Sequence, residues 1–110
     1  MQVLRRLGLD ETQLHRMECA GAAISVLAHI RECSDMHPAE ALGSISKFSE
    51  ARFRRLLRMD TPAERLAQGR RIVQFLNGSV NPGELGSSIF RWSVKDQRIW
   101  AEKYYSCLYS

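Results

Sequence analysis

Helix-opening signals punctuate this chain along its length, and nothing in it reads as a strand. Asp60-Thr61-Pro62-Ala63-Glu64 places a capping residue, a proline and an early acid in the order that starts a helix. Asn81-Pro82-Gly83-Glu84 repeats that order, although Gly83 and Gly86 weaken the helix it opens. Ser49 stands ahead of EARFRRLLRM as an N-cap, with Glu50 near the positive end of the helix dipole. Pro38 opens a short segment through Ile45, and Ser93 with Asp96 forms a capping pair for a last helix reaching about Cys107. The longest stretch begins at Asp10-Glu11-Thr12 and carries Leu14, Met17, Ala20, Ile24, Leu27 and Ala28 at helical spacing. It is expected to end near Cys33-Ser34-Asp35, and the helix from Thr61 to run to Asn77, with Gly78 as its left-handed terminator. Connections are short and no segment alternates with a period of two. The pattern predicts an all-α fold: a small antiparallel bundle of five or six helices, one domain spanning residues 1–110.

Composition narrows the class. Hydrophobic residues make up 45% and charged residues 25%, a balance that supports a globular core. No apolar run approaches the roughly 20 residues needed to span a bilayer. The start, MQVLRRLGLDET, has arginines but no apolar stretch or cleavage site of a secretion signal, so a cytoplasmic protein without a membrane partner is expected. Cys19, Cys33 and Cys107 are an odd number without close spacing, unlike a disulfide framework. His15 and Cys19 are four apart, as are His29 and Cys33, so each pair fits one helix face. On a single helix the two pairs stand about 21 Å apart, too far for one tetrahedral metal site. No metal and no cofactor are expected.

Charge is unevenly distributed. The net charge is +4, yet residues 1–46 sum to −2, residues 47–77 to +5 and residues 78–110 to +1. Lys47, Arg52, Arg54, Arg55, Arg58, Arg65, Arg70 and Arg71 make the central third basic and predict an anionic partner. No Gly-rich phosphate loop, His-Glu-x-x-His or nucleophile elbow is present, and a bundle this small offers little room for a substrate cleft. A non-enzymatic protein is expected.

On a helical wheel of EARFRRLLRM, Phe53, Leu56 and Leu57 share one side with Met59 at its margin. Arg54, Arg55 and Arg58 fall opposite, and Arg52 sits at the boundary. Glu50 is placed to pair with Arg54 across one turn. The apolar stripe accounts for docking, but the free arginines add nothing to folding. A guanidinium makes forked contacts with phosphate oxygens, so arginine rather than lysine favours a nucleic-acid backbone. Arg70 and Arg71 on the following helix are expected to extend this face. Phe53, Phe75, Phe90, Trp92, Trp100, Tyr104 and Tyr105 are expected to pack in the core, with Trp92, Tyr105 and Tyr109 remaining candidates for a subunit interface.

Three segments, taken together, resemble the CasB family of small subunits of the type I-E CRISPR complex Cascade. They are SEARFRRLLRMD at 49–60, GRRIVQFLNG at 69–78, and Arg91-Trp92 followed by a basic, aromatic helix to residue 105. The resemblance covers residues 39–107, the family's C-terminal bundle. It implies a non-catalytic helical subunit, present in two copies beside other Cascade subunits. Such a subunit steadies the crRNA–target DNA heteroduplex and the displaced strand by sequence-independent backbone contacts, since base pairing with the guide reads the sequence. By matching position it assigns nucleic-acid contact to Arg52, Arg55 and Arg58 in the first motif, Arg71 in the second, and Lys95 and Arg98 in the third. Two other readings fit the basic helices: a protein–protein adaptor whose arginines meet an acidic partner, and a stand-alone DNA-binding regulator. The second needs a recognition helix with an evident helix-turn-helix partner, which EARFRRLLRM lacks.

Overall fold

The computed structural model describes residues 10–45 and 47–109. Its elements are α1 (Glu11–Leu27), β1 (Glu32–Cys33), α2 (Pro38–Ser44), α3 (Glu50–Leu57), α4 (Pro62–Phe75), β2 (Ser79–Val80), α5 (Pro82–Arg91) and α6 (Val94–Leu108). Six helices are thus present among the described residues, and the all-α class stands with one small addition.

Local side-chain chemistry starts these helices where the sequence signals it. The Ser49 hydroxyl accepts from the Arg52 N–H at 3.2 Å, and Thr61 from Glu64 at 3.1 Å. The Glu64 carboxylate in turn accepts from the Asp60 N–H at 2.8 Å, closing the entry to α4. Asn81 caps α5 through the Glu84 N–H at 3.1 Å, and Ser93 with Asp96 forms a complete capping box for α6. Each bond satisfies an N–H that has no partner within its own helix.

The first helix ends earlier than its periodicity suggests, at Leu27 rather than near Cys33. A distant part of the chain captures the backbone that follows. The Arg31 and Glu32 N–H groups both donate to the Gly78 carbonyl, at 2.9 and 3.1 Å, and Ser34 donates to Val80 at 3.0 Å. The result is a two-residue parallel pairing, Glu32 with Ser79 and Cys33 with Val80, where no strand was expected. His29 and Cys33 therefore share no helix face. The helix from Thr61 stops at Phe75 rather than Asn77, and Asn77 at φ 54° supplies the left-handed residue that ends it, followed by Gly78 at φ 81°. The Gly78 N–H returns to the Val73 carbonyl at 2.9 Å, and a Cβ there would press on the Arg31 stem at 3.0 Å.

Packing is organised by two close approaches. α1 lies against α4 and α5, and a Cβ at Gly69 would meet Val26 at 2.6 Å and Ile89 at 2.7 Å. α2 lies against α6, and a Cβ at Gly43 would collide with the Tyr104 carbonyl. Between these layers one core cluster gathers Val26, Leu42, Phe53, Leu56, Ile72 and Leu85 around Trp100 and Tyr104. The Tyr104 ring stacks on Phe53 at 3.9 Å, and its hydroxyl donates to the Phe48 carbonyl at 2.9 Å. The Trp100 indole N–H donates to the Ser88 hydroxyl at 2.9 Å, so both large polar-tipped rings are buried with their tips bonded.

Trp92 takes the packing role and is not free for a subunit interface. It ends α5 in a left-handed conformation, φ 36°, and is buried edge-on to Trp100 at 5.4 Å. Phe90, assigned to the core by spacing, is exposed instead, while Tyr109 is exposed as expected. No helix among the described residues is long and apolar enough to cross a membrane.

Candidate nucleic-acid interface

The arginine helix α3 divides its charges between two sides. On one side Arg54 reaches the Glu50 carboxylate at 3.1 Å, the pair expected from their spacing. The other Glu50 oxygen accepts from the Tyr109 hydroxyl at 3.0 Å. Tyr105, and next to it Glu50, hold the Arg54 guanidinium protonated beyond its already high ordinary pKa. Arg54 is thereby engaged with the aromatic end of α6.

On the other side Arg52 and Arg55 face α4 across a groove of about 370 Å³, and Arg71 supplies the opposing cation. The groove continues along the helices as a second stretch of about 360 Å³ that shares Arg55, Gln68 and Arg71 and adds Arg58. All four arginines are exposed at the surface. Among the described residues none of them forms an ion pair. Glu64 also lines the second stretch, but its carboxylate is bonded to the Asp60 N–H. An unpaired cationic groove between two rigid helices has the form of a phosphate-binding surface, because its charge is not spent within the fold.

Arg52 differs from its neighbours in being anchored. It donates to the Lys47 carbonyl at 3.0 Å, and its guanidinium carbon sits 5.0 Å from the centre of the Phe75 ring. That distance is within cation–π range.

Four of the six residues assigned to backbone contact thus come together: Arg52, Arg55, Arg58 and Arg71. Lys95 and Arg98 do not join them. They project from the exposed side of α6, away from the buried Asp96, Trp100 and Tyr104, and line neither stretch of the groove. Asp96, beside Lys95, is also no free acid. Arg91 donates to it at 2.8 and 3.1 Å, and the Ser93 hydroxyl and N–H add further bonds. The Arg91 hydrogen bonds, aided by those from Ser93, pull its pKa down to about 2.

The basic third is also less uniform than its sequence. Arg70 and Arg71 are neighbours in the chain, yet Arg70 faces a separate groove of about 410 Å³ with His29 and Arg31. Successive helical residues point about 100° apart, so a doubled arginine serves two surfaces. Arg65 leaves the surface entirely, being buried at 5% exposure. What sequence reasoning missed is the wall that completes the groove: Gln68, Gln74 and the half-buried Phe75. No motif marks those residues. Their only signal is position, about one turn before and one turn after Arg71 on α4.

Among the described residues no three of His, Cys, Asp and Glu gather as a metal site. His15 and Cys19 do meet as their spacing suggests, with Nε2 3.5 Å from Sγ, and the Arg65 guanidinium also donates to that thiol at 3.1 Å. Fold and groove together define a small helical protein with an exposed cationic cleft. The family model for CRISPR-associated protein Cse2 matches residues 2–105, nearly the whole chain. The chain belongs to that family, also called CasB, and is a small subunit of the CRISPR Cascade complex. The match extends the likeness seen in residues 39–107 back through α1. No curated protein and no solved structure matched in the corresponding comparisons.

Proposed function

We propose that this subunit steadies the crRNA–target DNA heteroduplex and the displaced strand through sequence-independent contacts to phosphates. The observation that carries this reading is the α3–α4 groove, where Arg52, Arg55, Arg58 and Arg71 converge without an ion-pair partner among the described residues. Guanidinium forks match phosphate oxygens, and the groove offers no side-chain array suited to reading base edges along a duplex. Lys95 and Arg98 make a second, separate contact on the outer side of α6. The chain acts as one helical domain in the cytoplasm, without catalysis or cofactor, beside the other Cascade subunits and a second copy of itself.

Reversing charge at Arg55, Arg58 and Arg71 tests the reading. None of the three side chains has a hydrogen bond or ion pair among the described residues, so helicity by circular dichroism should be unchanged. Cascade assembled with the triple variant should release target DNA faster, and the loss should shrink as salt rises, because counterion release contributes less there. Equal target retention by variant and wild type would refute the backbone assignment. If nuclease-treated lysate yielded an acidic protein in place of Cascade subunits and crRNA, the adaptor reading would replace it.

A further inference from the structure

The α3–α4 groove contains chemistry that phosphate binding alone does not use. One end of it is aromatic. Phe75 is half-buried there, with Phe48 set edge-on beneath it at 4.9 Å and 84°. Arg52 covers the Phe75 ring at 5.0 Å and is tied by its other contact to the Lys47 carbonyl at 3.0 Å. A guanidinium meant only for a phosphate gains from free reach. This one is held in place on the lining of the groove. Gln68 and Gln74 stand beside it, and among the described residues neither side-chain amide has a protein partner.

These parts suit a nucleobase. A base stacks on a guanidinium or an aromatic ring through its π-face, and its edge carries donors and acceptors that a primary amide matches in either orientation. At about 370 Å³ the groove has the size of a small-molecule site, enough for one unstacked nucleotide. Arg55 and Arg71 lie on the same lining, where the flanking phosphates of that nucleotide would fall.

We propose that the Arg52–Phe75 pair is a stacking subsite for an unpaired nucleobase, at which the α3–α4 groove takes up a single strand. The proposal rests on the phosphate-contact reading of the same groove and adds the state of the strand it takes. Stacking tolerates every base, so the subsite adds affinity without sequence preference. The Gln68 and Gln74 amides hold the base edge, and Arg55 and Arg71 hold the backbone on either side.

The test compares two single-stranded DNA oligonucleotides of equal length, one with all its bases and one carrying abasic sites, against the full chain. Their phosphate charge is the same. Wild type should bind the base-bearing strand about fivefold or more tightly. Arg52→Lys keeps the charge but loses the planar stacking surface, and should erase that difference. Phe75→Leu should erase it as well, with an unchanged salt dependence. Equal binding of the two strands by wild type would overturn the stacking subsite while leaving phosphate contact intact. If Arg55→Gln/Arg58→Gln/Arg71→Gln binds both strands as wild type does, or if neither strand binds, the phosphate reading falls and the subsite with it. Arg52→Lys keeps the question open to refutation should Phe75→Leu fail to fold.

Discussion

The Arg65 guanidinium donates to the Cys19 thiol at 3.1 Å deep inside the bundle. The same nitrogen donates to the Ile89 and Phe90 carbonyls at 3.1 and 3.0 Å, while Nε donates to Asp60 at 2.8 Å. Ile89 and Phe90 belong to the last turn of α5, where unpaired carbonyls make the end of a helix negative. One buried cation therefore joins α1, α4 and α5, and its charge is met by backbone dipoles, with no carboxylate among the described residues paired to it.

Arg65→Lys should accordingly destabilise the fold strongly. A single ammonium cannot reach the Asp60 carbonyl and the end of α5 together, so buried acceptors lose their donors. The expected cost is about 3 kcal/mol, read as a lower urea midpoint. The salt dependence of nucleic-acid binding by the folded variant should not change, because Arg65 is not on the surface. A normal urea midpoint would show that the guanidinium contacts are dispensable.

Glycine positions give a paired prediction of opposite sign. Gly69→Ala places a methyl against Val26 and Ile89 where α4 meets α1 and α5, and should cost about 1–3 kcal/mol despite alanine's better helix propensity. Gly21 is exposed on α1, and a Cβ there meets nothing within 4 Å. Gly21→Ala should therefore stabilise by about 0.5–1 kcal/mol. Thermal denaturation of the two variants should move in opposite directions. A rise in Tm for Gly69→Ala would contradict the close approach.

These residues also show why parts of the molecule were legible in the sequence and others were not. Ser49, Thr61, Asn81 and Ser93 marked helix starts because a cap bonds to an N–H three residues on, an interaction contained in the local sequence. The end of α1 was misplaced because Gly78, far along the chain, supplies the carbonyl that captures Arg31 and Glu32. Arg65 counted toward the basic third for the same reason: its partners lie on α1 and α5. The wheel of α3 separated Phe53 and Leu56 from Arg55 and Arg58. It did not show that α4 would bring Arg71, Gln68 and Gln74 opposite, since that depends on how two helices pack.

Two groups are expected to make stability depend on pH on the acid side, in separate windows. Burial holds the His37 imidazole below its ordinary 6.5, with Lys103 adding to the effect and Glu84 and Glu40 opposing it. Its Nδ1 accepts from the Ala39 N–H at 3.0 Å, a bond that protonation would break. The unfolded chain takes up this proton first, so stability should fall as pH drops below 6.5. Asp96 is held at about 2 against an ordinary 3.8, chiefly by Arg91, so its contribution is full above 3.8 and is lost between 3.8 and about 2. That contribution amounts to about 2 kcal/mol. His37→Asn, which keeps a capping acceptor without titrating, should flatten the upper part of a Tm-against-pH curve. Asp96→Asn should flatten the lower part. A wild-type curve level from neutral to strongly acid pH would disprove both assignments.

The separation of Lys95 and Arg98 from the groove makes the last prediction quantitative. Both lie on the exposed side of α6, whose start is fixed by the Ser93–Asp96 capping box, so neutralising them leaves the helix intact. If they meet phosphates of their own, Lys95→Gln/Arg98→Gln should lower the salt-dependence slope of target binding by roughly 2. Arg55→Gln/Arg58→Gln should lower it by a similar amount, since each pair neutralises about two phosphates. Sites without shared partners contribute independently, so the quadruple variant should lose the sum of the two losses to within about 0.5 kcal/mol. Losses that fall well short of additive would mean that the two surfaces share one contact. No loss at all from Lys95→Gln/Arg98→Gln would confine nucleic-acid binding to the cleft between α3 and α4.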